Sequence, residues 1–165
     1  MDYSRTLTYD ADPDAVFAML CDKAWREDVC AAMQAASWEV SIVTKGDEVV
    51  VQTVRVVRAA LPDMFRSMVG DTIALEQTER WGAPHPDGSR SADLRLSVKG
   101  QPASMQGSIL LSRAGSCSTE IVTGEIKVKI PLLGRRIEPE LATGIGYALD
   151  QEQERGAAYL TARRS

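Results

Sequence analysis

A chain of 165 residues, 44% of them apolar and 25% charged, has the size and composition expected of one soluble globular domain covering residues 1–165. Its formal net charge is −4 and its Lys and Arg residues are scattered, so it lacks the basic footprint that nucleic acid or an anionic membrane surface requires. No run of about 18 apolar residues is present, and the opening MDYSRTLTYD has neither the basic nor the apolar region of a secretory signal; the expectation is a cytoplasmic protein without membrane insertion.

Alternation over residues 4–9 predicts a short first strand. Asp12 then caps a helix whose first turn holds Pro13 and Asp14 and whose apolar side carries Val16, Phe17, Met19 and Leu20. A second helix is predicted over residues 23–35. From Trp38 the period changes to two. SWEVSIVT and EVVVQTVRVV read as strands joined by a hairpin turn with Gly46 and Asp47 at its tip. In ALPDMFRSMVGD, Pro62 and Asp63 start a short helix bearing Met64, Phe65 and Met68, placed as an insert at the mouth of the sheet. TIALEQTERW, SADLRLSV, MQGSILLS and STEIVTGEIKVKI are four further alternating runs, separated by GAPHPDGS, KGQPAS and RAGSC, and predict an antiparallel meander.

The final segment, residues 133–163, has a helical period, with Leu141, Ile145, Ala148, Leu149, Tyr159 and Leu160 on one face. Gly144, Gly146 and Gly156 interrupt it at a cost of about 1 kcal/mol each relative to alanine, which close packing or room for a ligand would justify. The corner before it, IPLLG, reads as a hinge: Pro131 ends strand pairing, Gly134 relieves the turn into the helix, and Leu132 and Leu133 sit at the mouth. The order is therefore one strand, two helices, six strands and a long helix. An antiparallel sheet must bury one face, and the last helix is the only long apolar element available to cover it, which gives an α+β fold.

This element order resembles the helix-grip fold of the START-like superfamily, which includes polyketide cyclases, birch-pollen-allergen-like proteins and lipid-transfer domains. The resemblance spans almost the whole chain. YDADPDAVFAML looks like the superfamily's first strand and helix, and IKVKIPLLGRRIEPEL, taken with ALPDMF, is similar to a bacterial family of unassigned function inside it whose final strand ends VKVPLVGGKIE or nearly so. What the resemblance implies is a seven-stranded curved antiparallel sheet wrapped around the C-terminal helix, enclosing a largely apolar cavity of about 300–1,000 Å³ for a small hydrophobic molecule, lipid-like or polyketide-like.

Alternation places the inward faces. They comprise Trp38, Val40 and Ile42; Val50, Gln52, Val54 and Val56; Ile73, Leu75, Gln77, Glu79 and Trp81; Leu94, Leu96 and Val98; Met105, Gly107, Ile109 and Leu111; and Val122, Gly124, Ile126 and Val128. Of these, Trp38, Gln52, Val54, Leu75, Gln77, Glu79, Trp81, Leu96, Ile109 and Ile126 are expected at the ligand, with Leu141, Ile145, Leu149 and Glu152 from the helix. Gly107, Gly124 and Gly144 withhold side-chain volume from the same space.

Polar residues on these apolar faces carry the chemical information, since burying them unpaired is expensive. Glu79 and Glu152 are the candidate acids or bases, with Tyr147 or Tyr159 as donor; the competing reading puts both carboxylates at the open end of the sheet, in solvent, paired with Arg58 or Arg80. Cys21, Cys30 and Cys117 share no ligand spacing and the only histidine, His85, lies in a loop, so no metal site and no cofactor are expected. No triad, phosphate loop or cofactor fingerprint is present. Three functions remain: binding or transport of a small hydrophobic ligand, as a monomer or weak homodimer; a cyclase- or dehydratase-type enzyme; and an interaction module with a filled core.

Overall fold

The computed structural model describes residues 1–164. β1 (Asp2–Tyr9) leads into α1 (Pro13–Leu20) and α2 (Lys23–Ala32), then the hairpin β2 (Ser37–Lys45) and β3 (Glu48–Arg58). The insert α3 (Asp63–Val69) precedes β4 (Thr72–Trp81), β5 (Arg90–Val98), β6 (Ala103–Ala114) and β7 (Cys117–Val128), and α4 (Gly134–Arg164) follows. The strands form one curved antiparallel sheet in the order β1-β7-β6-β5-β4-β3-β2, with α4 packed against it. This is the α+β arrangement expected from the switch of period at IPLLG.

Local chemistry fixes the element ends. The Asp12 carboxylate accepts from the Ala15 amide at 2.8 Å, with Pro13 in the first turn, and Asp22 accepts from the Ala24 amide at 2.9 Å. Helix α2 is three residues shorter than expected, because Gln34 takes φ 57°, a left-handed conformation that ends a helix. At the other junction, a Cβ on Gly134 would stand 2.0 Å from the Val128 carbonyl oxygen, so only glycine allows α4 to start this close to β7. Leu133 packs on the small apolar cluster around Phe65, whereas Leu132 is 97% exposed at φ 67°. Phe65 is the buried residue of α3; Met64 and Met68 are exposed.

One register differs from expectation. Lys45 pairs with Glu48, so the β2–β3 turn has two residues, and Val40 consequently faces Thr53. Directly opposed residues share a face of the sheet, which puts Val49, Val51, Thr53 and Arg55 inside. Val50, Gln52, Val54 and Val56 are on the outer face instead, where the Gln52 amide donates to Glu76 at 3.1 Å. An inward Val40 already demands this outcome once the turn length is known.

The concave side holds two apolar clusters rather than one. The larger packs β1, α1, α2 and the C-terminal half of α4 against the sheet; the smaller gathers Phe65, Val98, Ala103, Val128 and Ile137 near α3. In α4, Gly156 is a packing residue: a Cβ there would lie 2.6 Å from the Tyr9 ring and 3.1 Å from the Met19 methyl.

Candidate functional site

Between the clusters lies a cavity of about 380 Å³. Leu75, Leu96, Leu141 and Ile145 point into it and stay only partly buried, although they face the core. Gly144 also borders it, with no atom within 4 Å of where its Cβ would be. Gly107 and Gly124 serve another purpose. They pair across β6 and β7, and a Cβ on Gly107 would be 1.8 Å from the Thr123 carbonyl oxygen, so they let two backbones approach rather than enlarge the cavity. The solvent side of the cavity is rimmed by Gln34, Arg58, Ala60 and Tyr147.

Its other end is polar and closed. Five charged side chains are buried among the described residues: Arg26, Arg55, Glu79, Glu120 and Glu152. Arg26 from α2 grips Glu79 with two parallel bonds, Nη1 to Oε1 at 2.9 Å and Nη2 to Oε2 at 2.7 Å, while its Nε donates to the Leu20 carbonyl at 2.7 Å. Glu79 also accepts from Gln77 Nε2 at 2.7 Å and Trp81 Nε1 at 2.9 Å. Two oxygens with four donors are a saturated carboxylate. Arg55 Nη2 donates to Gln77 Oε1 at 3.2 Å, extending the chain of polar contacts to β3. Burial alone would lower the Arg26 pKa, but Glu79 and Glu152 outweigh it and hold the guanidinium above its ordinary value. For Arg55 burial prevails and the shift is downward.

Glu120 and Arg55 are the members with an unpartnered buried atom, and Glu152 lies beside them with a raised pKa. Glu120 is 2% exposed and its Oε2 has no hydrogen-bond partner. The Tyr9 hydroxyl stands near it outside hydrogen-bonding geometry and is unpartnered as well. Burial first, then the neighbouring Glu152 and Glu79, push the Glu120 pKa up to about 8. Glu152 is raised too: burial and Glu79 outweigh Arg26 and Arg55, which act on it through space without donating to it. Arg55 Nε is likewise buried without a partner.

The structure brings Leu75, Gln77, Glu79, Leu96, Ile109, Ile126, Leu141, Ile145, Leu149 and Glu152 to the cavity wall. It does not bring Gln52 and Val54 there, for the register reason above. Trp38 has the right parity but is 39% exposed on the edge strand β2, away from the wall. Trp81 is buried behind Glu79, where it donates to the carboxylate rather than facing the space. The solvated reading of Glu79 and Glu152 is overturned, since both are buried and Arg80 pairs with Glu48 instead. Tyr159 donates to Asp22 at 2.7 Å and lies outside the wall, whereas Tyr147 is on the rim. His85 stays in its loop beside Ser91.

Sequence reasoning missed Arg26, Arg55 and Glu120. Glu120 was within reach: it has the parity of Val122, Gly124 and Ile126, one step further along the same strand. Arg55 follows from the corrected hairpin register. For Arg26 the sequence carries no signal, because its partner is 53 residues away.

A family model described as a protein of unknown function, DUF2505, matches residues 4–160. The chain belongs to this family. No curated protein matches the sequence. Among solved structures, the Zhui aromatase/cyclase from Streptomyces sp. R1128 superposes with a TM-score of 0.66 at 14% identity, over 100% of this chain and 96% of that one. TTHA0849 from Thermus thermophilus gives 0.63 at 14% identity, over 96% and 99%. The lipid transfer and protein localization domain of human StarD13 gives 0.57 at 14% identity, over 95% and 75%. At such identities the likeness is one of fold alone: this DUF2505 protein has a START-like fold. No helix among the described residues is long and apolar enough to cross a membrane.

Proposed function

We propose that this DUF2505 protein binds or carries a small hydrophobic molecule, lipid-like or polyketide-like, in the cavity between sheet and α4, with residues 1–165 acting as one START-like domain. The observation that carries the reading is the cavity itself: about 380 Å³ of space, walled mainly by Leu, Ile, Val and Met, in a fold whose alternative is a filled core. That volume falls in the range of roughly 300–1,000 Å³ used by small-molecule sites. Lipid transfer and cyclase structures sharing the fold support it as analogues. The ligand's apolar part lies along Leu75, Leu96, Ile109, Ile126, Leu141, Ile145 and Leu149, and its polar part toward Glu152, at the end of the cavity where Gln77 and the saturated Glu79 stand.

The test combines native mass spectrometry of protein purified from its own host with titration of an apolar fluorophore. Saturable one-to-one binding is expected, lost on Ile145→Trp, which fills the cavity. Equal binding by the variant would assign the fluorophore to the surface and overturn the reading.

A cyclase- or dehydratase-type reaction is the second reading, and Glu120 and Glu152 favour it: both are buried carboxyl groups beside the cavity with raised pKa, and Glu120, at about 8, is suited to hold and move a proton near neutral pH. Glu79, with both oxygens saturated, has no acceptor left for a substrate.

A further inference from the structure

Counting the buried charges narrows the ligand. Glu79, Glu120 and Glu152 contribute three carboxyl groups and Arg26 and Arg55 two guanidiniums, with no other charged side chain buried among the described residues. Fully ionised, the closed end of the cavity carries one uncompensated negative charge, which a low-dielectric interior does not tolerate. Either a proton or a cation must be present.

A proton neutralises the charge but supplies few hydrogen bonds. Glu120 Oε2 still lacks a partner, and neither arginine donates to Glu152. Leaving such atoms unpaired is costly. Both carboxyl groups border the cavity, so a ligand can reach them. A metal ion is poorly suited, since no three of the described His, Cys, Asp and Glu side chains stand where they could hold one. An ammonium group fits better: it carries one positive charge and three N–H donors.

We propose that the closed end of the cavity takes the protonated amino group of an amphiphilic organic amine, seated on Glu120 and Glu152, with the apolar remainder along the cavity wall. Arg55 keeps its unpartnered Nε–H for a neutral oxygen on the same molecule. This rests on the ligand-binding reading above and adds the charge of the ligand to it. Binding expels the proton that Glu120 holds in the empty protein, where its pKa of about 8 keeps it neutral at pH 7. The groups that set this exchange are Tyr9 on β1, Arg26 and Cys30 on α2, Arg55 on β3, Glu79 on β4 and Glu152 on α4. From β5 and β6 the facing residues are apolar: Leu94, Ile109 and Leu111.

Three probes of equal chain length test it: decylamine, decanol and decanoate, titrated calorimetrically at pH 7 in two buffers of different ionisation enthalpy. Decylamine is expected to bind at least tenfold more tightly than decanol, with about one proton released per molecule bound, and decanoate more weakly than either. Glu120→Gln removes the excess charge while keeping the shape, and should collapse the amine-to-alcohol ratio and abolish proton release. Decanoate binding most tightly, amine binding without proton release, or an unchanged ratio in the variant would each overturn the proposal. If decanol and decanoate bind but the amine does not, only the amine assignment falls. If none of the three binds, the ligand-binding reading falls with it.

Discussion

Glu120→Gln should alter the pH dependence of stability in a direction fixed by the burial of the carboxyl group. Its pKa rises from an ordinary 4.5 to about 8 in the folded protein. Between those values the native state holds a proton that the unfolded chain has released, so stability falls as pH rises through the window. Below about pH 4.5 both states are protonated and nothing is lost; above about pH 8 both are ionised and the loss is complete. At about 1.4 kcal/mol per unit, the wild-type loss is about 1 kcal/mol at pH 5 and about 5 kcal/mol at pH 9. Glutamine does not titrate, so any change it makes to packing is a constant offset. The variant should therefore gain about 4 kcal/mol on the wild type between pH 5 and pH 9, or about 8–16 °C in Tm for a chain this long. Urea denaturation followed by far-UV circular dichroism and tryptophan fluorescence at both pH values measures it, with a constant m value as the check. A shallow residual slope from Glu152 is expected in the variant, since its pKa is raised as well. Parallel pH profiles for the two proteins would refute the assignment of this proton to Glu120.

Three further tests probe the frame around the cavity. Arg26→Met leaves the buried Glu79 without its two-point partner and should cost about 3–5 kcal/mol in urea denaturation; adding Glu79→Gln should recover part of that, and strict additivity of the two changes would contradict the pairing. Gly144→Ala should stabilise by up to about 1 kcal/mol through helix propensity because nothing opposes its Cβ, whereas Gly156→Ala, driven into the Tyr9 ring, should destabilise by about 1–2 kcal/mol; thermal melts showing the same sign for both would refute the packing account. Leu132→Gly should raise stability by about 1 kcal/mol by releasing a left-handed conformation that is unfavourable for leucine, and a lower Tm would show that Leu132 makes a contact the structure lacks.

The fold was legible because its signal is repetitive. Seven alternating runs and one helical period over α4 each restate the same division between buried and exposed faces, so single anomalies such as Glu79 do not obscure it. The cavity wall was legible wherever a strand's parity could be read from contrast between apolar and polar residues, as in β4, with Leu75 inside and Glu76 outside. In β3 that contrast fails: EVVVQTVRVV has valines on both faces, and only the turn length decides between Gln52 and Thr53. Trp38 misled because alternation gives a residue's side of the sheet but not whether a helix covers that part of it. The polar end was least legible, since the meaning of Glu79 depends on a helix residue whose approach no local pattern encodes.

The first strand and the last helix are held to one another. β1 pairs with β7, the Arg5 and Thr8 positions contact Asp150 and Gln153 of α4, and Asp22 and Asp28, at the start of α2 and within it, bind Tyr159 and Arg155. Contacts across more than 100 residues are slow to form, because the loop they close must be ordered before they reward it. During synthesis, β1 has no strand partner until β7 leaves the ribosome and no covering helix until α4 follows. The chain therefore completes its core in one late step, and the cavity comes into being only with that step. A ligand cannot template the earlier stages; it can only slow the reopening of a protein that has already closed.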